Sequence, residues 1–256
     1  MVSRRALTIA RYTFLEAVRN RLFGLTVTGL VCLLGLTGFV GELAITESRE
    51  VQSSLAGAGM RLFAVATVSL FVITSVIREF NDKGFDMVLS MPIARSAWFF
   101  GKFAGFLLLA FVIAAAGSLL LLLYSAPDDV LLWFLSLLCE LAIVIALSLL
   151  CLLTFSNVTV SFVLAALFYL LSRAMHAVQL IGSSPLMESQ SFSQEFIKFV
   201  LDAIAFVLPD LHDFTRSEWL VYGGEWASLA PVAAQTAIYV VLLSAAGLFD
   251  LYRKDL

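Results

Sequence analysis

Three ionisable residues interrupt long apolar runs of this chain: Glu140, Arg173 and His176. In hydrocarbon an unpaired charge costs roughly 2.5–3.5 kcal/mol or more. Each must therefore find a partner, line a polar cavity or take part in chemistry. Glu140 lies ten residues from the start of its run near Val130, and Arg173 nine residues from the end of its own near Gly182. At a helical rise of ~1.5 Å per residue both stand about 14–15 Å from the same boundary. The spacing predicts an ion pair between Glu140 and Arg173, with His176 one turn nearer that boundary. Two roles stay open for the trio. It is a structural pair that sets the register of two helices, or it lines a cavity and meets a polar headgroup or moves during gating. A hydrolase would need a nucleophile–base pair or a metal cluster, and two histidines, His176 and His212, make a poor set for either.

The elements that carry these residues follow from composition. The 256-residue chain is 61% hydrophobic and 14% charged, with a mean hydropathy of +0.98. A water-soluble domain of this length is excluded, and the fold class expected is all-α and polytopic in a membrane. Crossing about 30 Å of hydrocarbon takes roughly 20 helical residues. Six stretches qualify: 22–41, 60–77, 103–124, 130–155, 160–182 and 230–249. Arg61 and Arg78 bracket the second, which is the shortest. Cys32, Cys139 and Cys151 fall inside apolar runs without metal or disulfide spacing and read as buried small hydrophobes. Arg19 and Arg21 directly precede the first span with no small-residue cleavage site, so the start does not read as a signal peptide.

Basic residues set the expected orientation. With the N-terminus inside, Arg4, Arg5, Arg11, Arg19, Arg21, Arg78, Lys83, Arg95, Lys102, Arg253 and Lys254 are cytoplasmic. Arg49, Arg61, Lys198 and Arg216 fall outside. The bias predicts an N-in/C-in topology. The net charge of -3 says little in such a protein, and no nucleic-acid partner is expected.

Three segments leave the membrane. Residues 3–20 form an amphipathic helix, with Leu7, Ala10, Phe14 and Ala17 on one face and Arg5, Tyr12, Glu16 and Arg19 on the other, suited to the inner interface and its lipids. The cytoplasmic loop 78–98 places Glu79, Asp82, Lys83 and Asp86 at i, i+3, i+4 and i+7, opposite Phe80, Gly84, Met87, Val88 and Met91. Pro92 ends that helix, and the next span opens with the small pair Gly101 and Gly105. The outer segment 183–229 holds an amphipathic stretch, 193–207, too short to span and stopped by Pro209. It reads as an interfacial or re-entrant helix capping the outer mouth, or as a cap for a periplasmic partner. Asn157-Val158-Thr159 matches a glycosylation sequon, but its expected cytoplasmic position makes the match fortuitous.

The loop also carries a resemblance. Arg78-Glu79, then Gly84, then Leu89-Ser90-Met91-Pro92-Ile93-Ala94-Arg95, then Gly101-Lys102 entering a span, resembles the first cytoplasmic loop of ABC-2 type transporter permeases. The opening IARYTFLEAVRNRLF, the segment LPDLHDFTRSEWLVYG and the ending LFDLYRKDL are similar to the same group, closest to its permeases for multi-copper enzyme maturation. The resemblance runs over the whole chain and implies a single transmembrane domain, 1–256. It implies a prokaryotic inner membrane, a second permease chain, identical or a sibling, and two cytoplasmic ATP-binding subunits. The helix at Arg78–Pro92 would be the coupling helix, with Arg78, Glu79, Asp82, Lys83, Asp86, Pro92 and Arg95 structural or ATPase-contacting. No GxxxxGK[ST] phosphate loop occurs, so ATP and magnesium would belong to the partner and this chain would be no enzyme by itself. The expected function is export of a hydrophobic or amphipathic substrate. The alternative is an ion- or proton-coupled carrier built on Glu140, Arg173 and His176. Inverted repeats or proline-broken helices would favour that alternative, and the first five spans hold no proline.

Overall fold

The computed structural model describes residues 2–43, 48–81, 94–182, 208–214 and 219–253. Among them every regular element is helical and no strand occurs. In chain order these are α1 (Val2–Arg19), α2 (Arg21–Leu43), α3 (Ser48–Asn81), α4 (Arg95–Leu121), α5 (Pro127–Phe155) and α6 (Val158–Gly182). Two short turns of helix follow, α7 (Leu211–Phe214) and α8 (Trp219–Tyr222), then α9 (Leu229–Arg253). Six helices, α2 to α6 and α9, are long and apolar enough to cross a membrane. Their number agrees with the sequence expectation.

One span differs in extent. Rather than beginning near residue 60, α3 runs for 34 residues from Ser48, about 51 Å at the α-helical rise. The segment 48–60 is rich in small residues and lacks proline and β-branched runs, so nothing in it stops a helix. Arg61 is therefore no flanking charge. It stands thirteen residues inside α3 and is 2% exposed.

α5 is the axis of the bundle. In its apolar window 72% of residues are buried, against 17% for α2 and 22% for the last span. It contacts α3, α4, α6 and α9. Pro127 opens it where the absent N–H costs nothing, and Asp128 and Asp129 in the first turn complement the positive end of the helix dipole. Ser156 ends it in the left-handed region at φ 52°, its N–H bonding the Leu152 carbonyl. The next residue starts α6: Asn157 Oδ1 accepts the N–H groups of Thr159 at 2.9 Å and Val160 at 3.3 Å. The asparagine of the sequon-like triplet is thus a helix cap.

α1 lies against α4. A Cβ at Gly101 would stand 2.8 Å from Ile9 Cβ, and one at Gly105 would stand 2.7 Å from Thr13 Cβ and 2.8 Å from the Ala10 carbonyl. The Gly101–Gly105 pair is therefore the seat of α1. The buried stripe on α1 is Ala10, Thr13 and Ala17, whereas Leu7 is 72% exposed. Ala10 and Ala17 of the expected face are thus buried, and the correction is that Thr13 joins them while Leu7 does not. Glu16, placed on the opposite face from sequence, accepts a hydrogen bond from Ser75 Oγ of α3 at 3.1 Å. Of the cysteines only Cys151 is buried; Cys139 is half-buried and Cys32 exposed, on the outward side of α2.

The end of the bundle holding the α4–α5 turn is covered by α7 and α8. Leu211, Phe214, Trp219 and Leu220 are buried there, with Leu220 against Gly57 of α3. Ser125 Oγ donates to the Leu220 carbonyl at 3.2 Å, and Asp129 Oδ1 accepts the Gly224 N–H at 3.2 Å. Residues 208–214 and 219–228 therefore contribute to a cap, while the amphipathic stretch expected at 193–207 lies outside the described residues.

Candidate functional site

Two polar constellations sit in this apolar frame. The first is built on the inward face of α5, where Trp133, Ser136 and Glu140 follow one another at three- and four-residue intervals. Arg61 of α3 reaches across to all three. Its Nη1 donates to Glu140 Oε2 at 2.6 Å, its Nη2 donates to Ser136 Oγ at 2.8 Å, and its guanidinium carbon is 5.3 Å from the centre of the Trp133 ring. Ser136 passes its own proton to the Trp133 carbonyl at 2.9 Å. Arg61 is 2% exposed and Glu140 is fully buried.

The remaining carboxylate oxygen of Glu140 is held from α6. Tyr169 donates its hydroxyl to Oε1 at 2.8 Å, and one turn along the helix Arg173 Nη1 donates to the same hydroxyl at 3.2 Å. The expected direct pair of Glu140 and Arg173 is therefore corrected. The two belong to one network, but Tyr169 stands between them and the ionic partner of Glu140 is Arg61. What the depth argument missed was a third helix, α3, that brings Arg61 to the same carboxylate. His176 lies further along α6, and its side chain falls outside the described residues.

A cavity of about 260 Å³ opens beside this network. Leu62, Val65, Ala66 and Ser69 of α3, Val144 of α5, and Phe162, Ala165, Ala166, Tyr169 and Leu170 of α6 line it. Its lip is open to the side of the bundle, where Leu62 is 49% and Leu170 55% exposed. Ser69 is occupied by Ser148 of α5 at 3.1 Å, so the wall presents almost nothing polar except Tyr169. With Glu140 neutralised by Arg61, the half-buried Arg173 has no carboxylate partner among the described residues. Taken together, Arg61, Glu140 and Arg173 carry one more positive than negative charge. An apolar groove whose wall residue Tyr169 is bonded to a cation suits a molecule with an apolar body and an anionic or strongly polar head.

The second constellation ties the ends of the loop between α3 and α4. Glu79 Oε2 lies 2.7 Å from Lys102 Nζ, an ionic contact between the two helices, and Trp98 Nε1 donates to Glu79 Oε1 at 3.4 Å. Phe80 stacks at a tilt on Trp98 with 6.5 Å between centroids. Across the loop, Arg95 Nη1 donates to the carbonyls of Leu251 at 2.8 Å and Tyr252 at 3.2 Å, and its guanidinium carbon is 5.9 Å from the Tyr252 ring centre. A cation on the last carbonyls of α9 satisfies groups that a helix end leaves open. Arg78 is exposed. Asp82, Lys83, Asp86 and Pro92 lie outside the described residues. Lys102, read in sequence as an inner basic residue and part of a Gly-Lys pair, proves to be the partner of Glu79.

No protein-family model and no curated protein sequence matches this chain. Its site must be read from its own chemistry. Two of the functional residues were missed in sequence. Arg61 was hidden by a helix start placed too late, and the signal that finds it is the buried periodicity Ser53, Ala56, Met60, Ala64, Val68, which continues through it. Tyr169 had no distinguishing signal beyond its position one turn before Arg173.

Proposed function

We propose that this chain is the membrane-spanning permease subunit of an ABC-2 type ATP-binding cassette transporter, exporting an amphipathic substrate. The observation that supports it most is the anchorage of the loop between α3 and α4: one flank is fastened to α4 through Glu79 and Lys102, the other to α9 through Arg95. A loop that receives force from a partner needs firm attachment at both ends, and these two attachments lead into α4 and α9. In this reading Arg78, Glu79, Asp82, Lys83, Asp86, Pro92 and Arg95 form the coupling segment. Two copies of a cytoplasmic ATP-binding subunit seat against it, a second permease chain completes the transporter, and both termini are cytoplasmic in a prokaryotic inner membrane.

The reading is tested by purifying the native protein from membranes. An ATP-binding subunit should accompany it, and reversing the charges of Asp82 and Asp86 should release that subunit while leaving the permease folded. Recovery of the permease without any ATP-binding chain, together with unchanged transport in the reversed variant, overturns it.

A second reading, an ion- or proton-coupled carrier, draws on one specific feature: a buried carboxylate hydrogen-bonded to a tyrosine that lines an open groove. Against it, both oxygens of Glu140 are already committed, to Arg61 and to Tyr169, so releasing the carboxylate would strand a buried guanidinium. Transport into proteoliposomes driven by a pH gradient without ATP would favour the carrier.

A further inference from the structure

We propose that the groove between α3 and α6 binds one acyl chain of an anionic glycerophospholipid, whose phosphate is received by Arg173. The apolar part of the argument is the wall. Leu62, Val65, Ala66, Val144, Phe162 and Leu170 offer hydrocarbon contacts over a cavity of about 260 Å³. That lies below the roughly 300–1,000 Å³ of sites for drug-sized molecules. A cavity this small suits a single chain, and its open lip lets the chain enter sideways from the bilayer.

The polar part is the charge beside Tyr169 that no carboxylate among the described residues balances. Arg61 and Glu140 neutralise each other at 2.6 Å, and Tyr169 spends its proton on Glu140. Arg173 is bonded to the lone pair of that hydroxyl alone, among the described residues, and keeps donors to spare. A guanidinium presents a planar fork that matches phosphate oxygens. Tyr169, at once a groove residue and the acceptor for Arg173, puts cation and chain site within one side chain of each other.

Depth separates this from ordinary contact with annular lipid. Arg173 is nine residues from the nearer end of α6, about 14 Å along the helix. A phosphate seated there is drawn below the level at which bulk headgroups sit, the position of a molecule taken out of its leaflet. The inference deepens the permease reading and rests on it for the idea that the lipid is cargo; the binding itself does not depend on any ATP-binding partner.

Native mass spectrometry of the full-length protein, equilibrated with equal amounts of phosphatidylglycerol and phosphatidylcholine, tests it. Retained phosphatidylglycerol should exceed phosphatidylcholine about fivefold, the attraction expected of one basic side chain for an anionic lipid. Arg173→Gln should bring the ratio close to one, and Arg173→Lys should keep most of it. Ala166→Phe, which fills the half-buried wall and leaves every charge in place, should remove the retained lipid of both kinds. Soluble glycerol 3-phosphate should not compete. The proposal is overturned if Arg173→Gln keeps the wild-type ratio, if Ala166→Phe leaves retention unchanged, or if the soluble headgroup competes as well as the lipid. Should Arg173→Gln fail to fold, the Ala166→Phe result decides. Loss of the ATP-binding partner with an intact lipid ratio would defeat the permease reading alone, and the reverse result would defeat this inference alone.

Discussion

The two polar constellations use the same residue types and live under different solvent conditions. Arg61 and Glu140 are almost completely sealed, with exposures of 2% and 0%; Lys102 is buried too, at 6%, and only Glu79 beside it keeps 22% of its side chain open. Arg95 grips main-chain carbonyls and not a carboxylate. A sealed pair is costly to assemble and costlier to break, because the survivor stays charged in an apolar medium. A pair with one partly open member costs less to break, although the buried Lys102 would still lose its counter-charge. The contrast places the costliest pair to break in the middle of the bundle, where α3, α5 and α6 meet, and a less costly attachment at the end where the loop between α3 and α4 departs.

Substitutions can break or sharpen this contrast. Glu140→Ala should be the most damaging, stranding Arg61 and costing about 3–5 kcal/mol, seen as loss of folded protein in detergent melting curves. The double variant Arg61→Met/Glu140→Leu should recover much of that loss; if it melts as low as the single variant, the pair does more than neutralise itself. Tyr169→Phe removes a hydroxyl bonded to two charged groups and should cost about 1.5–3 kcal/mol, with Arg173 becoming more accessible to a guanidine-reactive reagent. Lys102→Met should cost less than Glu140→Ala, about 1–3 kcal/mol, since the partly open Glu79 loses its ionic contact but keeps the bond from Trp98. Arg95→Gln should change stability least, about 0.3–1 kcal/mol for a cation at a helix C-terminus, yet lower transport several-fold if α9 takes up motion from the loop. Equal melting shifts for Glu140→Ala and Arg95→Gln would erase the distinction between the two regions.

Much of this was legible from residues alone. Apolar run length is enough to count spans, because 30 Å of hydrocarbon sets the requirement, and the depth rule brought Glu140 and Arg173 into one network. Arg61 was misread for a physical reason: an arginine near an apolar run ordinarily sits at the interface, and only a buried carboxylate on another helix permits it inside. The Gly101–Gly105 pair announced a close approach, but not which helix would make it. The groove between α3 and α6 left no trace in the pattern, since it arises from how three apolar surfaces fail to fill the space between them. The lower flank of the proposed coupling segment was visible in Arg78 and Glu79, whereas the grip of Arg95 on α9 joins residues more than 150 positions apart.

The glycine seam under α1 also bears on the order of assembly. α1 precedes its seat in the chain by some 90 residues, from Thr13 to Gly105. At about 5–20 residues per second of synthesis, it waits roughly 5–20 s before that surface exists. During that interval its own two faces must hold it at the membrane, with Leu7, Leu15 and Val18 turned outward. Docking of the first helix is therefore a late event, and it closes over a fourth helix already in place.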